Sequence, residues 1–247
     1  MYFFSFLYIV RMSIIRLFFV LTLFLFHSCN NSNKISKPNL VLFMVDDLGW
    51  QDTSVSFWKS ETKFNRLYNT PNMEILADMG VKFTNAYATP VCSPSRISLM
   101  TGMNAAKHRV TNWTLNPNKK KPAEINHKNF DFPDWNYNGL STLDSVSNSI
   151  YATPLPQVLK DNGYFTIHAG KAHLGAIGYP SSNPLNIGFD VNIAGHAAGA
   201  PQSYLGTDNF GNNDLKNKIW AVPGLKKYHG KDIFLTEALS LEILENL

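Results

Sequence analysis

Apolar residues in this chain come in blocks, each closed by a proline, a glycine or a pair of acids. After Pro38, residues 39–45 (NLVLFMV) form a nearly unbroken apolar run that stops at Asp46 and Asp47. Such a run predicts a strand buried on both faces of a parallel sheet. Thr70-Pro71 predicts a helix start, with Ile75, Leu76 and Met79 on the apolar face and Gly80 as the stop. Residues 81–88 alternate apolar and polar positions and predict a strand. Pro94 predicts a second helix start, with Ile97, Leu99 and Met100 inside and Gly102 at the end. Residues 104–149, rich in Asn, Pro, Lys and Trp without a period, read as a long surface excursion that shapes a pocket. Residues 153–162 predict a short helix closed by Gly163, and 164–168 a second buried strand leading to Gly170. Residues 183–231 are Gly- and Asn-rich and read as irregular. Asp232 is placed to cap a last helix over 233–246, with Leu235, Ala238, Leu239 and Ile243 at helical spacing.

Strand and helix alternate without an internal repeat, which predicts an α/β fold with a mainly parallel central sheet flanked by helices. Ligands of such sheets bind beyond the carboxyl ends of strands. Asp46/Asp47 and Lys171/His173 each follow one of the two most strand-like runs, so they meet on one edge if those strands are parallel neighbours.

The residues before this domain change the picture of where the protein works. Arg11 and Arg16 precede an apolar run, 17–26, followed by Ser28, Cys29 and a mostly polar spacer. This is a signal-peptide pattern, assigned here to 1–28, with a linker over 29–38 and the mature domain over 39–247. The run is shorter than the roughly 20 residues needed to cross a bilayer. Met12 offers a second translation start. Cys29 resembles the acylated cysteine of bacterial lipoproteins, although Phe26 and His27 replace the aliphatic and small residues usual there; plain secretion and a retained anchor are the other readings. The expected location is therefore outside the cytoplasm, as a periplasmic, outer-membrane or extracellular protein, touching membrane only through the signal or a lipid.

Composition narrows the class further. The chain has 247 residues, 45% hydrophobic and 16% charged, with a net charge of +4, which is ordinary for a globular domain. Lys119, Lys120 and Lys121 form the only tight basic run and read as a solvated loop or a polyanion contact. Nothing resembles a zinc finger, a basic recognition helix or an aromatic RNA-binding strand, so nucleic acid is not an expected partner.

Three groups of residues carry candidate chemistry. Adjacent carboxylates at Asp46 and Asp47 repel unless a cation compensates, and hard divalent ions prefer several such oxygens; the bland reading is a helix cap beside a surface acid. The chain has two cysteines, and acylation of Cys29 would leave Cys92 alone. Cys92 stands before a helix start, where unpaired backbone N–H groups favour anions, and Arg96 follows one turn later. A lone cysteine is otherwise a small buried hydrophobe. Lys171 and His173, taken by themselves, read as surface residues.

Cys92-Ser93-Pro94-Ser95-Arg96 followed by Leu99, Thr101 and Gly102 resembles the signature of type I sulfatases, members of the alkaline-phosphatase-like superfamily. Asp46-Asp47-Leu48-Gly49, Thr70-Pro71-Asn72 with Leu76, Ala77 and Gly80, and Phe83-Thr84-Asn85-Ala86-Tyr87 resemble the family's stretches that precede it. Gly170-Lys171-Ala172-His173-Leu174-Gly175 resembles its second signature, with Ala172 where Trp is common.

The resemblance implies a sulfuric ester hydrolase. Cys92 would be oxidised to formylglycine by a formylglycine-generating or anaerobic sulfatase-maturating enzyme. One hydroxyl of its hydrate would attack sulfur, and the other would later expel sulfate. Asp46, Asp47 and the residue at 92 would hold one calcium ion; Arg96 would stabilise the diol, Lys171 would contact sulfate and His173 would assist release. The substrate expected is a sulfated carbohydrate or another sulfate ester. Trp113, Trp135 and Tyr137 read equally as sugar-stacking or packing residues.

The family's later histidine, Asp-Asn pair and further lysine have no counterpart before Leu247. The expectation is an amino-terminal portion of a catalytic domain, incomplete at its C-terminus and poorly soluble alone. Two other readings are a noncatalytic sulfated-glycan binder and a related phosphatase or phosphodiesterase, although those enzymes usually place Ser or Thr at the nucleophile.

Overall fold

The structure is a computed structural model that describes residues 36–120, 128–214, 216 and 218–247. The signal assignment, Cys29 and all of the linker before residue 36 lie outside the described residues, as does Lys121. The chain divides into two compact units, Met1–Asp47 and Leu48–Leu247.

In the first unit, residues 39–45 correct the expectation of a buried strand. They have no regular secondary structure, and Val41 and Phe43 are 85% and 82% exposed. An apolar run supplies the faces of a strand, but a strand exists only through ladder hydrogen bonds to neighbours, and none is made by this run among the described residues.

The second unit opens with helix α1, Pro71–Met79. Thr70 precedes it as expected but does not cap it by its side chain; its hydroxyl instead pairs with Ser54 Oγ at 2.8 Å and accepts the Ser54 N–H. Residues 81–88 form no strand, a second correction, and Val81, Phe83 and Tyr87 are exposed. Helix α2, Cys92–Thr101, begins two residues before Pro94 and ends at Gly102 in the left-handed region, φ 67°. Its Gly102 N–H returns to the Ser98 carbonyl at 2.8 Å. The short helix α3, Ala105–His108, is capped by the Asn104 side chain accepting the Lys107 N–H.

Among its described residues the stretch 104–149 is only in part a surface excursion. Val110, Trp135 and Leu140 are buried with Ile97, Leu174 and Ile187 in one hydrophobic cluster. Strand β1, Gly139–Ser141, pairs in parallel with β2, Ser149–Tyr151. Helix α4, Leu155–Asp161, follows where expected. Strand β3, Ile167–Ala169, starts later than residue 164 and is half-buried; it pairs in parallel with β4, Val191–Ile193, placing His168 opposite Asn192. The entry to β3 is fixed by Thr166, whose N–H and hydroxyl both donate to Asp190 Oδ2 at 2.9 Å.

The described residues of 183–231 are likewise more ordered than their composition suggests. Phe210, Val222, Leu225 and Tyr228 from this stretch form a second cluster with Ile193, Ala194, Leu235 and Ala238. The last two lie on helix α5, Leu235–Glu245, the element expected over 233–246. The fold is thus α/β with parallel strands, which among the described residues form two two-stranded sheets where one central sheet was expected. Three-residue strands give few ladder bonds, so the two apolar clusters carry most of the packing. No helix among the described residues is long and apolar enough to cross a membrane.

Candidate active site

Cys92 is the first residue of α2, after the extended Val91. Its thiol is free and half-buried. Hydroxyl groups hold both approaches to this turn. Ser95 Oγ lies 2.7 Å from Thr89 Oγ1 and within reach of the Thr89 and Val91 carbonyls. Ser93 Oγ accepts the Thr114 N–H at 3.2 Å. One turn on, the Val110 N–H donates to His108 Nδ1 at 3.0 Å, so the ring proton sits on Nε2 and donates to Ser98 Oγ at 2.9 Å. Burial lowers the His108 pKa, which keeps that ring neutral.

Arg96 follows Cys92 by four residues and shares its face of α2. It is 8% exposed, and its Nη1 donates to the Lys171 carbonyl at 2.6 Å. The two sequence signatures are therefore joined by one charge-assisted hydrogen bond between residues far apart in the chain. Lys171 itself is half-buried, just past the carboxyl end of β3.

His173 is 4% exposed, not the surface residue its type alone suggested. Its backbone is left-handed, φ 53°, and its N–H donates to the His196 carbonyl at 3.1 Å. On the other side, the Leu140 N–H donates to the Leu174 carbonyl at 2.9 Å. The loop that carries Lys171 and His173 is thus tied to the chain after β4 and to β1. Ala172, in the place of the family's common Trp, is buried.

Three polar residues near this loop were not singled out from the sequence. His168, paired across the ladder with Asn192, packs edge-on to Phe189 with ring centroids 5.1 Å apart. Burial, and secondarily the Arg96 charge, lowers its pKa to about 4. His196 sits past the carboxyl end of β4 with Nδ1 3.2 Å from the Ala194 carbonyl, and burial lowers its pKa too. It lines an open cleft of about 380 Å³ with Ile177, Ser182 and Lys218. The signal for these residues lay in their position at a strand or its carboxyl end, which became visible only with the β3/β4 register.

Asp46 and Asp47 stand in an exposed turn that ends the first unit. Asp47 is left-handed, φ 54°, a conformation Asp tolerates better than most residues. Two carboxylates fit a hard cation in kind, but calcium takes six to eight oxygens. Among the described residues no three His, Cys, Asp or Glu side chains converge as a metal site, so the donor set falls short in number. Trp135 is resolved as a packing residue, 3% exposed and edge-on to Tyr137, while Trp113 is 55% exposed.

The α/β unit thus places a free cysteine at a helix start and ties the arginine four residues on to a Lys-x-His loop. The Sulfatase family profile matches residues 38–242, and the chain belongs to that family. It is 30% identical over 224 residues to arylsulfatase G of Mus musculus, covering 87% of this chain and 35% of that protein. It is 33% identical over 157 residues to N-acetylgalactosamine-6-sulfatase of Mus musculus, covering 62% and 24%. A sulfatase of Formosa agariphila is 29% identical over 194 residues, covering 78% and 33%. The chain thus spans about a quarter to a third of the length of these relatives.

Proposed function

We propose that the protein carrying this domain hydrolyses sulfate esters, with Cys92 converted to formylglycine as its nucleophile. The observation that carries this reading is the Arg96–Lys171 hydrogen bond, which joins the cysteine helix to the Lys-x-His loop within a chain of the Sulfatase family. A sulfate ester is ringed by negative oxygen, so its site must offset charge and offer a strong nucleophile. The half-buried free thiol of Cys92 suits modification by a formylglycine-generating or anaerobic sulfatase-maturating enzyme. Formylglycine supplies, when hydrated, a hydroxyl to attack and a second to release sulfate, which serine lacks.

The roles of this chain's own side chains follow from charge and position. Arg96 holds a fixed positive charge one turn from position 92. Lys171 binds sulfate oxygen. His173 moves a proton at the nucleophile during release. Asp46 and Asp47 are the two carboxylates that this chain would offer a calcium ion, short of the six to eight oxygens such an ion takes. The two parallel strand pairs belong, in this reading, to the mainly parallel sheet of an alkaline-phosphatase-like fold.

The substrate class proposed is a sulfated carbohydrate, in keeping with relatives named for N-acetylgalactosamine-6-sulfate. Trp113, the exposed aromatic, is the residue offered for sugar stacking. Export rests on the leader over 1–28, and lipid attachment on Cys29; incorporation of labelled palmitate by the parent chain but not by Cys29→Ala tests the latter.

The experiment for the main reading is mass analysis of the peptide containing Cys92 after co-expression with a maturating enzyme. The expected result is the mass loss of thiol to aldehyde, together with aryl-sulfate turnover by the full-length protein that disappears in Cys92→Ala. An intact thiol, with turnover of a phosphate ester instead, would move the protein to the phosphatase and phosphodiesterase class.

A further inference from the structure

The chain after β4, Ala194-Gly195-His196-Ala197-Ala198-Gly199, meets two histidine rings through the bare backbone of its two glycines. A Cβ added at Gly199 would lie 2.5 Å from His173 Cε1 and 2.7 Å from Nδ1. A Cβ at Gly195 would lie 2.5 Å from Asn192 Oδ1 and 2.6 Å from both Cε1 and Nδ1 of His168. Neither glycine is left-handed, so conformational freedom is not what requires glycine at either place. Space is the requirement: at Gly199 the atoms that fill it belong to the His173 imidazole, and at Gly195 to the His168 imidazole and the Asn192 amide.

We propose that Gly199 is a positioning residue, which seats the His173 ring by direct backbone contact, while Gly195 independently seats His168. The functional weight of Gly199 rests on the reading of His173 as a group of the sulfatase site; the seating itself does not.

The ring of His173 has little freedom to evade a methyl group. Its residue is 4% exposed, its backbone is left-handed, and its N–H is held by the His196 carbonyl only three residues before Gly199. The same short segment therefore fixes the backbone of His173 through residue 196 and the ring through residue 199. Sequence alone offered no reason to look here, because these glycines lie in a stretch whose composition reads as loop.

The test is a thermodynamic cycle backed by histidine NMR on the whole chain. Gly199→Ala is expected to lower the melting temperature by several degrees, and in a His173→Ala background to lower it much less. Gly195→Ala should show a weaker dependence on His168→Ala, because the Asn192 amide also meets the added Cβ, and none on His173→Ala. In the folded variants, Gly199→Ala should move the His173 Cε1–H resonance and leave His168 in place, with the reverse for Gly195→Ala. If Gly199→Ala fails to fold while the Gly199→Ala, His173→Ala pair folds, the seating is supported. Equal losses in both backgrounds, or no folding in either, would overturn it, as would a Gly199→Ala variant with an unmoved His173 resonance. None of these readouts uses turnover. In a full-length enzyme that turns over aryl sulfate, Gly199→Ala should reduce kcat at least tenfold with KM little changed, and Gly195→Ala should leave it within about twofold. A positive cycle in a protein without turnover would leave the seating standing and remove the sulfatase reading.

Discussion

Helices α1 and α2 are close in length and both are bounded by a proline near the start and a glycine at the end, yet they occupy opposite environments. Helix α1 is the more apolar, and it buries no residue: Ile75, Leu76 and Met79 are 57%, 69% and 80% exposed. Helix α2 is mostly Ser, Pro and Arg along its first turns, and it buries Ser93, Pro94, Arg96 and Ile97. Apolar character is a capacity for burial, realised only where a partner surface exists. Polar character permits burial when each donor and acceptor finds a partner, and α2 finds them in Thr89, Thr114, His108 and the Lys171 carbonyl.

Truncating one isoleucine in each helix is the strongest way to break this comparison. Ile97 is fully buried in the cluster with Leu140 and Leu174, so Ile97→Ala should cost about 2–5 kcal/mol through lost transfer energy and the cavity left behind. Ile75→Ala in α1 should fall within about 0.5 kcal/mol of the parent, as exposed substitutions do. Urea denaturation of the two variants measures both. Equal losses would mean that α1 is packed in solution against something that covers its apolar face.

The polar side of α2 is probed by Arg96→Lys, which keeps the charge and loses the planar fork that reaches the Lys171 carbonyl. A hydrogen bond involving a charged donor is worth about 1.5–3 kcal/mol, and a loss of that size in the same denaturation experiment is expected. A neutral outcome would show that Lys recovers the contact and that the bond between the two signatures is not specific to arginine.

These two helices also set out what was legible in the sequence. Both were visible from Pro and Gly punctuation, as was α4, while α5 was read from the helical spacing of Leu235, Ala238, Leu239 and Ile243 after Asp232. The strand-like runs 39–45 and 81–88 were misread because local pattern reports a face, while a strand depends on chain far away in sequence. Phe210 was hidden in a segment whose Asn and Gly content reads as loop, although it is buried in a cluster, and Trp135, left open between packing and sugar stacking, is buried in the other. Within the site, Lys171 and His173 read by type alone as surface residues; with Cys92 and Arg96 they were singled out through the resemblance to the sulfatase signatures. His168, His196, Gly195 and Gly199 were not, since their roles arise from the β3/β4 register and from close contact. Asp46 and Asp47 were readable as a pair, but a pair of carboxylates does not by itself make a metal site.

Acid titration sharpens the comparison at the base of the site. His168 has its pKa lowered to about 4, chiefly by burial and then by Arg96, against an ordinary value near 6.5. The unfolded chain binds this proton more readily than the folded one, so stability rises with pH across that interval. The contribution is fully present above pH 6.5 and lost as pH falls toward 4. Its size is on the order of 2 kcal/mol after allowing for residual solvation. His108 and His196 are shifted in the same direction, so the parent loses stability from all three. Urea midpoints at pH 4.5 and 7.5 should therefore differ less in His168→Gln than in the parent. An unchanged difference would place the acid sensitivity in the other two rings.

The smallest effect distinguishes how the two helices end. Gly102 closes α2 with φ 67° and open space around its missing Cβ, so Gly102→Ala is opposed by backbone strain alone, about 1 kcal/mol. Gly80 closes α1 at φ −130°, where any residue fits the backbone, and its nearest neighbour to an added Cβ is the Leu76 carbonyl at 3.3 Å. Gly80→Ala should therefore cost less than Gly102→Ala. Gly102→Asn should recover part of the loss, because Asn tolerates the left-handed region better than Ala does. Thermal melts of the three variants provide the ranking. A Gly102→Ala variant as stable as the parent would mean that the turn after α2 relaxes out of the left-handed region, and with it the hydrogen bond from Gly102 to Ser98 that ends the cysteine helix.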